Sequence, residues 1–63
     1  MERVYKLDGV EVWYDHAEET YEVWAMVSSG PDDYDWDVVE TTDDWEWAIA
    51  VADEVWNRME TLV

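Results

Sequence analysis

Carboxylates dominate the reactive groups of this chain, and their spacing suggests two kinds of chemistry. Asp33-x-Asp35-x-Asp37 opens like a calcium-binding loop, which offers alternating oxygens to a hard cation. The match ends there. Val38 occupies the sixth position, where such a loop needs glycine for its turn, and Asp44 occupies the twelfth in place of a bidentate glutamate. Alternation along a strand explains the same spacing, so only loose cation association is expected. Acid–base work of the glycosidase kind needs one distinctive carboxylate pair, and here such pairs are everywhere. His16 is the single histidine and cysteine is absent, so a zinc site, a disulfide or a thiol nucleophile is not expected. Ser28-Ser29 sits beside Gly30-Pro31, where loop chemistry accounts for it, and no base and orienting group accompany it. The expectation is a protein without catalysis, metal or cofactor.

The elements that would position these groups follow from periodicity. Residues 3–7 and 10–14 are β-prone runs joined by Asp8-Gly9, a hairpin signal because a type I′ turn wants positive φ at both central positions. Residues 21–27 form a third strand and residues 34–41 a fourth, separated by the loop Ser28-Ser29-Gly30-Pro31-Asp32. The period then changes. Trp45, Ala48, Ile49, Ala52, Val55, Trp56, Met59 and Val63 follow helical spacing. Thr42 or Asp43 is the expected cap, with Asp43-x-x-Glu46 at capping-box spacing and Arg58 near the cation-favouring end. The reading is one α+β domain spanning residues 1–63: an antiparallel sheet of three to four strands over about 3–41, with one C-terminal amphipathic helix over about 43–60 packed on one face.

One helix covers one face of a small sheet. The expected core phase holds Val10, Val12 and Tyr14; Tyr21, Val23, Ala25 and Val27; and Tyr34, Trp36 and Val38. The opposite phase holds Glu11, Trp13 and Asp15, then Glu22, Trp24 and Met26, then Asp35, Asp37 and Val39. A solvated sheet face has use for the acids but not for two tryptophans, and exposed apolar groups of this kind mark contact surfaces. Shielding of the sheet by Trp13 and Trp24 is the alternative.

Composition bounds the partners. The chain has 63 residues, 18 acidic and 3 basic, for a net charge of −15. High charge favours disorder, but 49% hydrophobic residues, with 6 Trp and 4 Tyr, give a short chain enough apolar area to fold. No apolar run reaches the roughly 20 residues of a membrane span, and the Met1-Glu2-Arg3 start does not resemble a signal peptide. Nucleic acid and anionic lipid would be repelled, so the expected partner is basic, and the expected chain is a soluble, intracellular monomer. Sixteen of the acids lie between Lys6 and Arg58, with no Lys or Arg between them. Ordinary solvated faces interleave both signs, because cross-strand and i, i+4 pairs then stabilise them. A sequence that forgoes such pairs gains from the field itself, either by imitating a nucleic-acid backbone or by adapting to concentrated salt as an acidic halophilic interaction domain. The many bulky aromatics weigh against the second.

Small size, extreme acidity, absence of cysteine and a short sheet with one helix resemble the DNA-mimic inhibitors carried by phages, among them small acidic anti-CRISPR proteins directed at type I surveillance complexes. The resemblance spans the chain in composition and layout and carries no motif. It implies a non-enzymatic inhibitor acting in the cytoplasm of an infected bacterial host, where it blocks the basic DNA site of a nucleic-acid-binding defence protein. From the residues themselves, Asp32, Asp33, Asp35, Asp37, Glu40, Asp43 and Asp44 are the densest phosphate-like array, while Glu11, Asp15, Glu22, Trp13 and Trp24 form a second candidate surface.

Overall fold

The computed structural model describes residues 1–28 and 30–61, with side chains as far as residue 58. In chain order it has β1 (Glu2–Leu7), β2 (Val10–Asp15), β3 (Thr20–Ser28), β4 (Tyr34–Thr42) and α1 (Trp45–Thr61). The strands form one antiparallel sheet in the order β1-β2-β3-β4, and α1 lies across one face of it. This is the α+β meander with a C-terminal helix that the periodicities predict. Ser29 and Val63, and the side chain of Met59, lie outside the described residues.

Local chemistry sets the turns. Leu7 pairs with Val10, leaving Asp8-Gly9 as a two-residue connection. Gly9 takes a φ of 88° but Asp8 stays out of the left-handed region, so the expected type I′ turn is not formed. Val4 is an unpaired extra residue between the Arg3–Trp13 and Tyr5–Val12 pairs, and a bulge of this kind adds the right-handed twist that an I′ turn otherwise supplies. Between β2 and β3, the Asp15 carboxylate accepts the backbone N–H groups of Ala17 (2.9 Å) and Glu18 (3.3 Å). Glu19 then closes the loop with a φ of 56°, a conformation that strains a side chain with a Cβ.

The core is small and made of small residues. Val10 and Val12 from β2, Val23 and Ala25 from β3, and Ala48 and Ala52 from α1 are at most 2% exposed. Alanines one turn apart let the helix backbone approach the sheet, while β-branched valines fill the pleat beneath it. Val4, Tyr5, Leu7, Tyr21, Ile49, Val51, Val55 and Trp56 pack around this cluster. Two contacts tie the helix to opposite sides of the sheet. The Tyr21 and Trp45 rings lie 5.4 Å apart, and the Tyr5 hydroxyl donates to Asp53 Oδ1 at 2.9 Å.

The cap and the fourth strand differ from expectation. Asp44, rather than Thr42 or Asp43, caps α1: its Oδ1 accepts the N–H groups of Glu46 (2.9 Å) and Trp47 (3.3 Å). Thr42 still belongs to β4, so the chain leaves the sheet too late for the Asp43–Glu46 box, and the Thr42 hydroxyl accepts the Asp44 N–H instead (3.1 Å). Tyr34, Trp36 and Val38 are not core residues. Met26 pairs with Trp36 and Trp24 with Val38, which puts all three on the face away from the helix, where they are 62%, 41% and 38% exposed. A bulge at Val39 then reverses the phase, so that Glu40 pairs with Val23 on the helix side. Val27, at the far end of β3, is 39% exposed as well.

Asp44→Ala removes the acceptor for two free helix N–H groups and should lower stability by about 1 kcal/mol in urea unfolding. Glu19→Gly should act oppositely, raising it by about 0.5–1 kcal/mol through relief of the left-handed conformation. Donation to Asp53 raises the Tyr5 phenol above its ordinary value of 10.0, with desolvation and the carboxylate charge adding to the effect. The stability from this contact is therefore fully present below pH 10 and lost as pH rises through the raised value. Unfolding curves of wild type and Tyr5→Phe should differ by a constant amount near neutrality and converge in alkali.

Candidate functional site

The sheet face away from α1 is where indoles and carboxylates meet. Side chains two residues apart on a strand share a face, so Glu11 and Trp13 on β2 stand together, as do Glu22 and Trp24 on β3. The strand register sets Glu11 opposite Trp24 and Trp13 opposite Glu22, a crossed arrangement of two acids and two indoles. Each indole is held by the acid preceding it on its own strand. Trp13 Nε1 donates to Glu11 Oε1 at 3.0 Å, and Trp24 Nε1 donates to Glu22 Oε1 at 3.2 Å. These bonds orient the rings and leave their surfaces half-buried rather than sealed in a core.

Trp36 joins them from β4. With Met1, Glu11, Trp13 and Trp24 it lines an open groove of about 380 Å³. Met26 and Tyr34 continue the apolar surface toward the β3–β4 end, and Val38 lies opposite Trp24. Glu11 is the polar group of the groove. Its side chain is only 15% exposed, and Arg3 Nη1 reaches its Oε2 from β1 at 3.4 Å. Periodicity alone finds Trp13 and Trp24 but assigns Trp36 to the opposite face. The available signal was the short β3–β4 connection, which pairs Ser28 with Tyr34 and so sets Trp36 against Met26.

The dense acidic array follows β4 and the connections at its two ends. Asp32 and Asp33 lie in the β3–β4 connection. Asp35 and Asp37 pair with Val27 and Ala25, hence on the helix side of an edge strand. Charges placed there also discourage another strand from pairing with the edge. Glu40 follows on the same side, accepting the Trp47 indole N–H (3.2 Å) and the Thr41 backbone N–H (3.3 Å). Asp44 is used as the helix cap, with exposed Asp43 beside it, and Asp15 of the second candidate surface is used in its turn.

Cations do little to neutralise these groups. Among the described residues, the ion pairs are Arg3–Glu11 and the exposed Arg58–Glu54 at 2.7 Å, worth at most about 1 kcal/mol each. Among the described residues no group of three His, Cys, Asp or Glu side chains is arranged to hold a metal ion, and no helix is long and apolar enough to cross a membrane. Comparison with protein-family models, curated proteins and solved structures finds no match to this chain.

Like-charge repulsion over so small a body is screened by salt. The urea midpoint should therefore rise between about 0.02 and 0.5 M sodium chloride, as the screening length falls from tens of ångströms to a few. The rise should be smaller in Asp35→Asn/Asp37→Asn. An equal rise in both proteins would place the dominant repulsion away from the β4 edge.

Proposed function

We propose that this chain is a non-enzymatic inhibitor that occupies the basic nucleic-acid site of a host defence protein, of which a CRISPR surveillance complex is an example. The carrying observation is charge density. A net charge of −15 on a body 36 Å long is about one charge per 2.4 Å (36/15), against about one per 1.7 Å along duplex DNA. Few of these charges are internally compensated, so they remain available to a Lys- and Arg-lined groove. The field would steer association and set its salt dependence, while the indole face adds an apolar anchor that phosphate lacks.

Affinity capture from a bacterial lysate at low salt tests the reading. A nucleic-acid-binding protein should be retained, released by a salt gradient, and released separately by duplex DNA. A triple reversal, Asp33→Lys with Asp35→Lys and Asp37→Lys, should abolish retention while leaving the helical circular-dichroism signal intact. Retention of nothing specific by a folded bait overturns the proposal. So does a retained protein that DNA fails to displace. Unfolding of the bait at low salt with recovery in molar salt would instead support adaptation to a salty environment.

A further inference from the structure

We propose that the groove between Trp13, Trp24 and Trp36 receives the guanidinium group of an arginine presented by a basic protein partner. This rests on the basic-partner reading above and assigns one arginine of that partner to one place on the molecule, while the acidic edge supplies the surrounding field. Three indoles from three different strands converge there, and indole is the side chain whose face attracts a cation most strongly. The Glu11 carboxylate stands among them with its side chain 15% exposed.

Each Glu11 oxygen accepts one bond, from Trp13 Nε1 at 3.0 Å and from Arg3 Nη1 at 3.4 Å. A carboxylate oxygen carries two acceptor sites, so capacity for a further fork of N–H donors remains. Guanidinium suits this surroundings better than ammonium, being planar, weakly hydrated and able to stack on a ring while bonding a carboxylate. The chain's own Arg3 already places that group against Glu11.

Charge decides among occupants. A second copy would bring another −15 against the first. A purely apolar segment would strip water from Glu11 and Glu22 without replacing it. An arginine covers the rings and bonds the remaining acceptor sites of Glu11 in one group. Trp36, 41% exposed on the edge strand, lines the groove with no side-chain hydrogen bond among the described residues.

The test follows the six indole N–H resonances of the intact chain by NMR. The probes are two acetylated, amidated pentapeptides of equal charge, Gly-Arg-Gly-Arg-Gly and Gly-Lys-Gly-Lys-Gly. The arginine peptide should shift Trp13, Trp24 and Trp36 while Trp45, Trp47 and Trp56 stay put, and should bind about two- to fivefold more tightly than the lysine peptide. Trp36→Leu should bring its affinity down to the lysine level, and Trp47→Leu should not. If Trp36→Leu does not fold, Glu11→Gln, which keeps an acceptor for Trp13, carries the same expectation. Equal affinity for the two peptides overturns the proposal, as do shifts that bypass the three groove indoles or groove shifts that grow with protein concentration alone. The lysate capture separates the two failures: a DNA-displaceable partner retained by a chain without arginine preference sinks the groove assignment and leaves the basic-partner reading standing. Loss of both removes both.

Discussion

The close approach of α1 to the sheet governs the rest of the molecule. Ala48 and Ala52 present almost no side chain, so the helix settles directly onto Val10, Val12, Val23 and Ala25. A core of this kind is dense but small, and it stabilises by dispersion and dehydration over few residues. The larger groups cannot enter it. Tyr5, Tyr21, Ile49 and Trp56 pack at its margin, and four strands under one helix leave a whole sheet face without a covering layer.

That uncovered face is where most of the remaining aromatic area goes. Isolated indoles in water would be a liability, and the sheet manages them by alternating Trp with Glu both along and across β2 and β3. The Trp13 and Trp24 N–H groups each have a carboxylate acceptor, which satisfies the polar edge of the ring while its faces stay accessible. Trp47 and Glu40 repeat the pairing on the helix side. The same acids that carry the charge thus orient the aromatics, and so charge and apolar surface belong to one arrangement here rather than to separate regions.

The rest of the carboxylates are spread around the periphery: on the other strands, in the connections and along α1. Asp15 and Asp44 each accept two backbone hydrogen bonds at Oδ1, and the helix start is an electrostatically favourable place for Asp44. Asp32, Asp33, Asp35, Asp37 and Asp43 have no comparable structural partner among the described residues, and their mutual repulsion opposes folding. A field kept at that cost is the physical basis for reading the molecule as a binder of basic surfaces.

Period and turn chemistry in the sequence determined the four strands, the helix and the face of β2 and β3 that carries Glu11, Trp13, Glu22 and Trp24. Those signals are local: a period of two or of 3.6, Asp-Gly, Ser-Gly-Pro, and alanines one turn apart. What only the tertiary structure decided lies in β4. Tyr34, Trp36 and Val38 alternate with acids as a core-facing strand would, and that alternation does not reveal that they stand on the face away from α1. Strand pairing sets their side, and one extra residue at Val39 reverses it. The third wall of the groove and the helix-side placement of Asp35 and Asp37 both follow from that register. Register depends on contacts between residues distant in sequence, and so it is settled only when the sheet assembles.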